Sequence, residues 1–255
     1  MPEALRLEAF LLVSSRVTAF MVSSPLFSLR DIPALARTGL GVLVALLLFT
    51  AVPLPADLPG PWLEYVFLVT KEIFVGLTLG IVSTMVYNSL RTAGELIDLQ
   101  TGFGMANLFD PVTGSSTSLL GQYLSTLGIL VFLELDGHHL LIRALADSFS
   151  LLPLGKGSFG GPLTSSVITI FIGVFVLGLR LAAPVVAVLL VSDIALALVA
   201  RTVPQLNVFI LGFPIKAGLA ILLLSLLTPV LAALVGVMMG QMEKDLATVL
   251  AAMQP

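Results

Sequence analysis

From Gly94 to Ser118 the sequence reads GELIDLQTGFGMANLFDPVTGSSTS, a polar and glycine-rich stretch inside an otherwise strongly apolar chain. It holds the acids Glu95, Asp98 and Asp110, and its Asp-Pro step is expected to stop a helix. An unpaired backbone group in hydrocarbon costs several kcal/mol, so a stretch of this kind cannot face lipid. We therefore expect it to be buried in protein or to line an aqueous path, as in a conduit.

The composition is that of a membrane protein. Hydrophobic residues make up 58% of the 255 residues and charged residues 11%, and the mean hydropathy is +1.10. A soluble domain has about 45–50% apolar and about 25% charged residues, so most of this chain must face lipid or other apolar subunits. The net charge of −3, without any basic run, argues against nucleic acid as a partner. The lack of cysteine excludes disulfides, thiolate metal sites and a cysteine nucleophile.

Apolar segments of the length that a spanning helix needs, about 20 residues, predict an all-α fold of the integral-membrane type. The last two segments are too long for one simple crossing. Their prolines, Pro184 in one and Pro214 and Pro229 in the other, predict kinks or helical hairpins. We thus expect about six long, partly kinked helices. The six segments are Leu5–Val22, Leu35–Val52, Tyr65–Tyr87, Leu119–Leu135, Val167–Ala200 and Phe209–Met239.

The first segment is expected to be a retained helix rather than a cleaved signal peptide, because Glu3 precedes it and Arg16 interrupts it. Six ordinary crossings would spread the basic loop residues over both sides without the bias that the positive-inside rule requires. Either the number of spans is wrong, or the helices do not cross the bilayer in the ordinary way.

Several ionisable residues lie inside the apolar segments, where a charge costs about 2.5–3.5 kcal/mol on the most lenient scale. For the neighbours Lys71 and Glu72 we favour snorkelling at a helix end or a structural ion pair. Arg180 and Asp193 are too far apart to pair on one straight helix. They would meet if Pro184 folded the segment back as a hairpin, and the alternative is contact with neighbouring subunits.

The motifs that could carry chemistry are weak. Asp136-Gly137-His138-His139 holds both histidines, but adjacent side chains point about 100° apart on a helix, so they rarely share a metal ion. The glycine-rich run at Gly155–Gly161 lacks the spacing of a phosphate-binding loop. There is no G-x-S-x-G elbow and no carboxylate pair in a convincing catalytic context. We predict no enzyme activity, and hence no catalytic residue, cofactor or metal ion.

Asp98, Gln100 and Asp110 leave two hypotheses open. Together they could bind a cation or relay protons, as in transporters with broken helices. Alternatively, Asp98 hydrogen-bonds the loop backbone while Asp110 shapes the Asp-Pro turn. The second hypothesis is favoured.

Blocks of sequence that follow one another across nearly the whole chain complete the pattern. They are SSPLF…IPALARTGL (Ser23–Leu40), RTAGELIDLQTGFGMANLFDP (Arg91–Pro111), DGHHLLIRALADSFSLLPLG (Asp136–Gly155), AAPVVAVLLVSDIALALVART (Ala182–Thr202) and PQLNVFILGFPIKAGL (Pro204–Leu219). Together they resemble the FliR family of flagellar biosynthetic proteins, which also includes the T subunit (SctT) of virulence type III secretion systems. LQTGF and the GHH step favour the flagellar type. One departure is Asp136, where the family usually has asparagine.

The resemblance implies a subunit of the export gate at the centre of the flagellar basal body, in the bacterial inner membrane. There it would assemble with FliP and FliQ, as helical hairpins, into a partly closed pore. FlhB would lie outside that assembly, with FlhA and the basal-body MS ring as further partners. Within a single domain, residues 1–165 would be FliP-like and residues 166–255 FliQ-like. Unfolded export substrates would pass through the pore, and the protein would contribute no bond chemistry.

In the family, the loop after the GF motif projects into the pore and helps to plug it, and by position this loop is Gly104–Ser118. Glycine, serine and threonine would let it reorder when a substrate passes, and its large apolar side chains would seal the closed lumen. The expected plug residues are Phe103, Gly104, Met105, Asn107, Phe109, Asp110, Pro111, Thr113, Ser115 and Ser116. The motif residues expected to matter for assembly are Gly94, Asp98, Gln100, Gly102, Gly137, His138, Pro184, Asp193, Arg201, Pro204, Gln205, Pro214 and Lys216.

Three other functions are kept as alternatives. One is the virulence-injectisome counterpart in the same family. Another is an ion-coupled transporter of small solutes, in which Asp98 and Asp110 would be the coupling residues. The last is a passive scaffold that nucleates a membrane ring and tolerates replacement of the central loop.

Overall fold

The computed structural model describes residues 3–27, 33–52, 62–103, 118–205 and 207–254. Every secondary-structure element within these ranges is helical, as the sequence predicts. The helices are α1 (Glu3–Ser23), α2 (Ala34–Phe49), α3 (Trp62–Tyr87), α4 (Ser89–Thr101), α5 (Leu119–Glu134), α6 (Gly137–Leu151), α7 (Gly161–Thr202) and α8 (Val208–Ala252).

Three helical stretches in the described part of the chain are long and apolar enough to cross a membrane, against the six segments expected. They are Trp62–Thr101, Gly161–Thr202 and Ile210–Ala252, with 40, 42 and 43 residues. The shorter helices α2 and α5 are apolar as well. Only 22% of the most apolar window in each of the last two stretches is buried within the chain. Their remaining apolar surface is therefore left for lipid or for other subunits.

The two longest helices continue through their prolines. α7 runs for 42 residues with Pro184 inside it, and α8 runs for 45 residues with Pro214 and Pro229 inside it. Neither segment folds back on itself as a hairpin. Arg180 and Asp193 therefore stay on one continuous helix, about 20 Å apart at the usual rise per residue, and the hypothesis that they pair is wrong.

The chain divides into two compact units, which comprise residues 1–87, 136–171 and 238–255, and residues 88–135 and 172–237. In the first unit, α1 packs against α2 and α3. Gly80 brings the backbones of α1 and α3 together, because a Cβ atom there would lie 2.9 Å from the carbonyl oxygen of Phe20. The C-terminal part of α8 adds the buried side chains of Met242, Leu246 and Val249 to this unit.

A fully buried ion pair lies in the core of the first unit. Arg16 Nε and Glu72 Oε2 are 2.5 Å apart, and both side chains are 0% exposed. Arg16 also donates to the carbonyl oxygens of Ser148 (3.0 Å) and Leu152 (3.1 Å), near the C-terminal end of α6. The second oxygen of Glu72 accepts the Gly155 N–H at 2.7 Å. For Lys71 and Glu72 the sequence favoured either snorkelling or a structural ion pair. Glu72 forms such an ion pair, and its partner is Arg16.

Candidate functional site: the base of the central loop

The polar stretch of the sequence is helical in its first part, because α4 extends to Thr101. The helix ends at Gly102, whose φ of +96° is left-handed and whose N–H bonds the Asp98 carbonyl oxygen at 3.0 Å. A left-handed residue at this position favours glycine. Of the loop expected at Gly104–Ser118, residues 104–117 lie outside the described part of the chain.

Gly94 lies inside α4, and close packing against α5 explains why this helical position is a glycine. A Cβ atom at position 94 would lie 2.5 Å from the Gly121 nitrogen and 2.6 Å from the Leu120 carbonyl carbon. Only glycine lets the backbones of α4 and α5 approach this closely. The helices on either side of the central loop are thus packed directly against each other.

The carboxylate of Asp98 closes the base of the loop. One oxygen accepts a hydrogen bond from the Ser118 hydroxyl, and the Leu120 N–H lies 3.0 and 3.2 Å from the two oxygens. Ser118 Oγ in turn accepts the Gly121 N–H at 2.9 Å, as an N-cap of α5. Asp98 is 4% exposed. We call Asp98, Ser118 and Leu120 the loop clasp.

A second set of polar contacts holds the end of α4 to α7 and α8. Gln100 Nε2 donates to Asp193 Oδ2 at 2.7 Å, and Lys216 Nζ lies 2.9 Å from Asp193 Oδ1. Asp193, on α7, thus binds one residue of α4 and one residue of α8. We call Gln100, Asp193 and Lys216 the helix brace.

An aromatic contact adjoins the helix brace. The rings of Phe103 and Phe213 meet edge to face, with centroids 5.7 Å apart and planes at 86°, a favoured geometry for aromatic pairs. Phe103 is the last residue described before the loop. The start of the loop is therefore fixed by backbone, polar and aromatic contacts.

The expected site residues fall into three groups. Gly94, Asp98, Gln100, Gly102, Phe103, Asp193 and Lys216 form the base of the loop just described. Gly137 and His138 lie in the first turn of α6, Pro184 and Arg201 on α7, Pro204 and Gln205 between α7 and α8, and Pro214 on α8. Outside the described residues lie Gly104, Met105, Asn107, Phe109, Asp110, Pro111, Thr113, Ser115 and Ser116.

The favoured hypothesis is confirmed for Asp98, which accepts a hydrogen bond from the backbone N–H of Leu120, while its other part, the role of Asp110 in the Asp-Pro turn, lies outside the described residues. The other hypothesis joins Asp98, Gln100 and Asp110 in one site; the Gln100 amide donates to Asp193 instead, and Asp110 lies outside the described residues. Sequence reasoning placed Ser118 at the end of the expected plug loop rather than at a helix cap, and it did not select Phe213. Ser118 was recognisable as a helix N-cap, since it directly precedes an apolar helical run. The ring contact of Phe213 carries no signal in the sequence, because it depends on how α8 packs.

The site and the fold define an all-helical protein of the membrane type, in which buried hydrogen bonds join the two sides of the polar segment 104–117. Comparisons with known proteins then specify the family. The model of the family described as bacterial export proteins, family 1, matches residues 7–242. The chain belongs to this family, and is therefore a component of bacterial protein export.

Three relatives that the chain matches are flagellar proteins. The flagellar biosynthetic protein FliR of Bacillus subtilis (strain 168) is 39% identical over 219 residues, which cover 85% of this chain and 84% of the relative. FliR of Pectobacterium carotovorum subsp. carotovorum is 36% identical over 220 residues, with 85% and 82% covered. FliR of Escherichia coli (strain K12) is 33% identical over 221 residues, with 85% and 83% covered. The resemblance inferred from the sequence blocks is confirmed.

Proposed function

We propose that this chain is a core subunit of the flagellar type III export gate, in the bacterial inner membrane. It forms with FliP and FliQ a gated pore through which unfolded flagellar substrates leave the cytoplasm. FlhB, FlhA and the basal-body MS ring are its further partners. Two features support an assembled subunit: its long apolar helices are mostly unburied within the chain, and its matched relatives are flagellar.

The segment 104–117 acts as the plug of this pore. The observation that carries this proposal is the loop clasp, in which Asp98 on one side of the loop binds Ser118 and Leu120 on the other. This contact gives the segment a fixed base, because it joins the residues on its two sides. Substrate passage then needs only the tip of the loop to reorder, while the helices that carry it stay packed.

The same contacts disfavour an ion-coupled transporter. A coupling carboxylate must exchange its partners as ions bind and leave. Asp98, one of the two coupling residues of that hypothesis, is buried and occupied by a hydroxyl and a backbone N–H, and the other, Asp110, lies outside the described residues. The protein supplies a path and a gate, with energy and bond chemistry provided elsewhere. The assignment of residues 1–165 as FliP-like and 166–255 as FliQ-like belongs to this proposal.

Affinity purification of the tagged chain from detergent-solubilised membranes tests the proposal, with mass spectrometry of the co-purifying proteins. We expect FliP and FliQ in one stable particle with the chain. An untagged strain and a tagged, unrelated membrane protein are the controls. Recovery of the chain alone, or only with copies of itself, would overturn the export-gate assignment.

A further inference from the structure

Asp136, His138 and His139, at the start of α6, form a group of ligand atoms that the proposed export function does not use. One side-chain oxygen or nitrogen of each residue lies within 4.8 Å of those of the other two. His139 Nδ1 lies 3.1 Å from Asp136 Oδ1, and the two imidazole centroids are 4.1 Å apart. The sequence argument that adjacent histidines diverge therefore does not hold for these two rings.

The donor set matches the preference of late first-row divalent metals. Imidazole nitrogen and carboxylate oxygen are the usual ligands of Zn²⁺, at about 2.0–2.2 Å. Two ligands of one such ion lie about 3.5 Å apart, so the present group must contract by about 1 Å. The side chains of His139 and Asp136 are 65% and 72% exposed, which leaves both free to make this movement. We propose that these three residues bind a divalent transition-metal ion, with water completing the coordination.

The environment of His138 and the charge of Asp136 fit the assignment of a metal site. In the described part of the chain, His138 Nδ1 is a buried atom without a hydrogen-bond partner. No hydrogen bond to Nδ1 therefore fixes the tautomer of the ring. With the proton on Nδ1, the ring would offer the lone pair of Nε2 to a metal ion. The site lies at the N-terminal end of α6, which repels cations, and the carboxylate of Asp136 offsets that repulsion.

The test is titration of the full-length chain, purified in detergent and stripped with a chelator, with Zn²⁺ in competition with a chromogenic chelator. We expect one Zn²⁺ per chain and no competition from Mg²⁺, which prefers all-oxygen sites. His139→Ala and Asp136→Asn should each lower the Zn²⁺ affinity at least about tenfold. Asparagine tolerates the left-handed backbone that residue 136 adopts, with a φ of 59°, so the second variant retains the fold.

Glu134→Gln is the matched control, because Glu134 is an exposed acid nearby that is not in the group. Its Zn²⁺ affinity should equal that of the wild type. The proposal is overturned if the wild type binds no stoichiometric Zn²⁺, or if His139→Ala binds Zn²⁺ as tightly as the wild type. An equal loss in Glu134→Gln would also overturn it, since binding would then reflect general surface charge.

Discussion

The carboxylate of Asp98, on α4, accepts a hydrogen bond from the hydroxyl group of Ser118, the residue that caps α5. These two residues stand on opposite sides of the segment 104–117. Their contact explains why a buried acid is stable in an apolar chain: its charge is met by a hydroxyl and by the Leu120 N–H. It also joins the two described sides of that segment in a fixed arrangement.

Removal of the Asp98 side chain should destabilise the second unit. Asp98→Ala leaves the buried Leu120 N–H without its partner, at a cost of about 1–3 kcal/mol. Asp98→Asn keeps one acceptor oxygen and should cost about 1 kcal/mol. The thermal midpoint of the purified chain in detergent measures both. Glu95→Gln, which removes an exposed acid of the same helix, should change the midpoint little. An equal effect of Glu95→Gln and Asp98→Ala would refute the role of the loop clasp.

Gly94→Ala should force α4 and α5 apart. The added methyl group meets backbone atoms of residues 120 and 121, which cannot move aside as a flexible side chain would. We expect a loss of about 1–3 kcal/mol. Gly173→Ala is the control, because a Cβ at Gly173 meets nothing within 4 Å, and alanine stabilises helix interiors by about 0.5–1 kcal/mol over glycine. The close approach is disproved if Gly94→Ala melts at or above the wild-type temperature, as Gly173→Ala should.

Breaking the buried pair of Arg16 and Glu72 should be more damaging than removing both charges together. Arg16→Met leaves Glu72 as an uncompensated buried charge, at about 3–5 kcal/mol. The double variant Arg16→Met/Glu72→Leu should lose less than the sum of the two single variants. Comparison of the four thermal midpoints gives the coupling. The exposed pair Arg91–Glu95, treated in the same way, should show almost none. Strict additivity at Arg16 and Glu72 would contradict the account of this core.

A charge reversal tests the helix brace. Asp193→Lys places two cations where Lys216 and Asp193 now meet at 2.9 Å, so we expect a loss of at least about 1 kcal/mol. Adding Lys216→Asp should restore most of it, because Gln100 can turn its amide and accept from the new lysine. The comparison is made by thermal midpoint in detergent. A double variant as unstable as Asp193→Lys alone would mean that the ion pair does not hold these helices.

The sequence predicts the helices well where apolar segments contain no proline, as in α3 and α5. It does not predict that α4 runs through Gly94, because the tight packing on Gly121 that favours glycine is a tertiary effect. The pairing of Arg16 with Glu72 joins positions 56 residues apart. No local pattern reports such a contact, and the same holds for Asp193 and Lys216. The hydrogen bond of Asp98 to backbone was predictable, because aspartate side chains in turns and loops commonly accept hydrogen bonds from nearby backbone N–H groups.

The plug assignment is tested most directly by the permeability of cells that express a deletion of residues 107–113 with the partner subunits. If segment 104–117 is the plug, we expect ions and small solutes to leak through the assembly, while FliP and FliQ still co-purify with the shortened chain. A Gly/Ser linker of the original length, in place of the same residues, should leak as well, whereas a passive scaffold would tolerate it. If both variants stay closed to ions and export normally, segment 104–117 is not the gate.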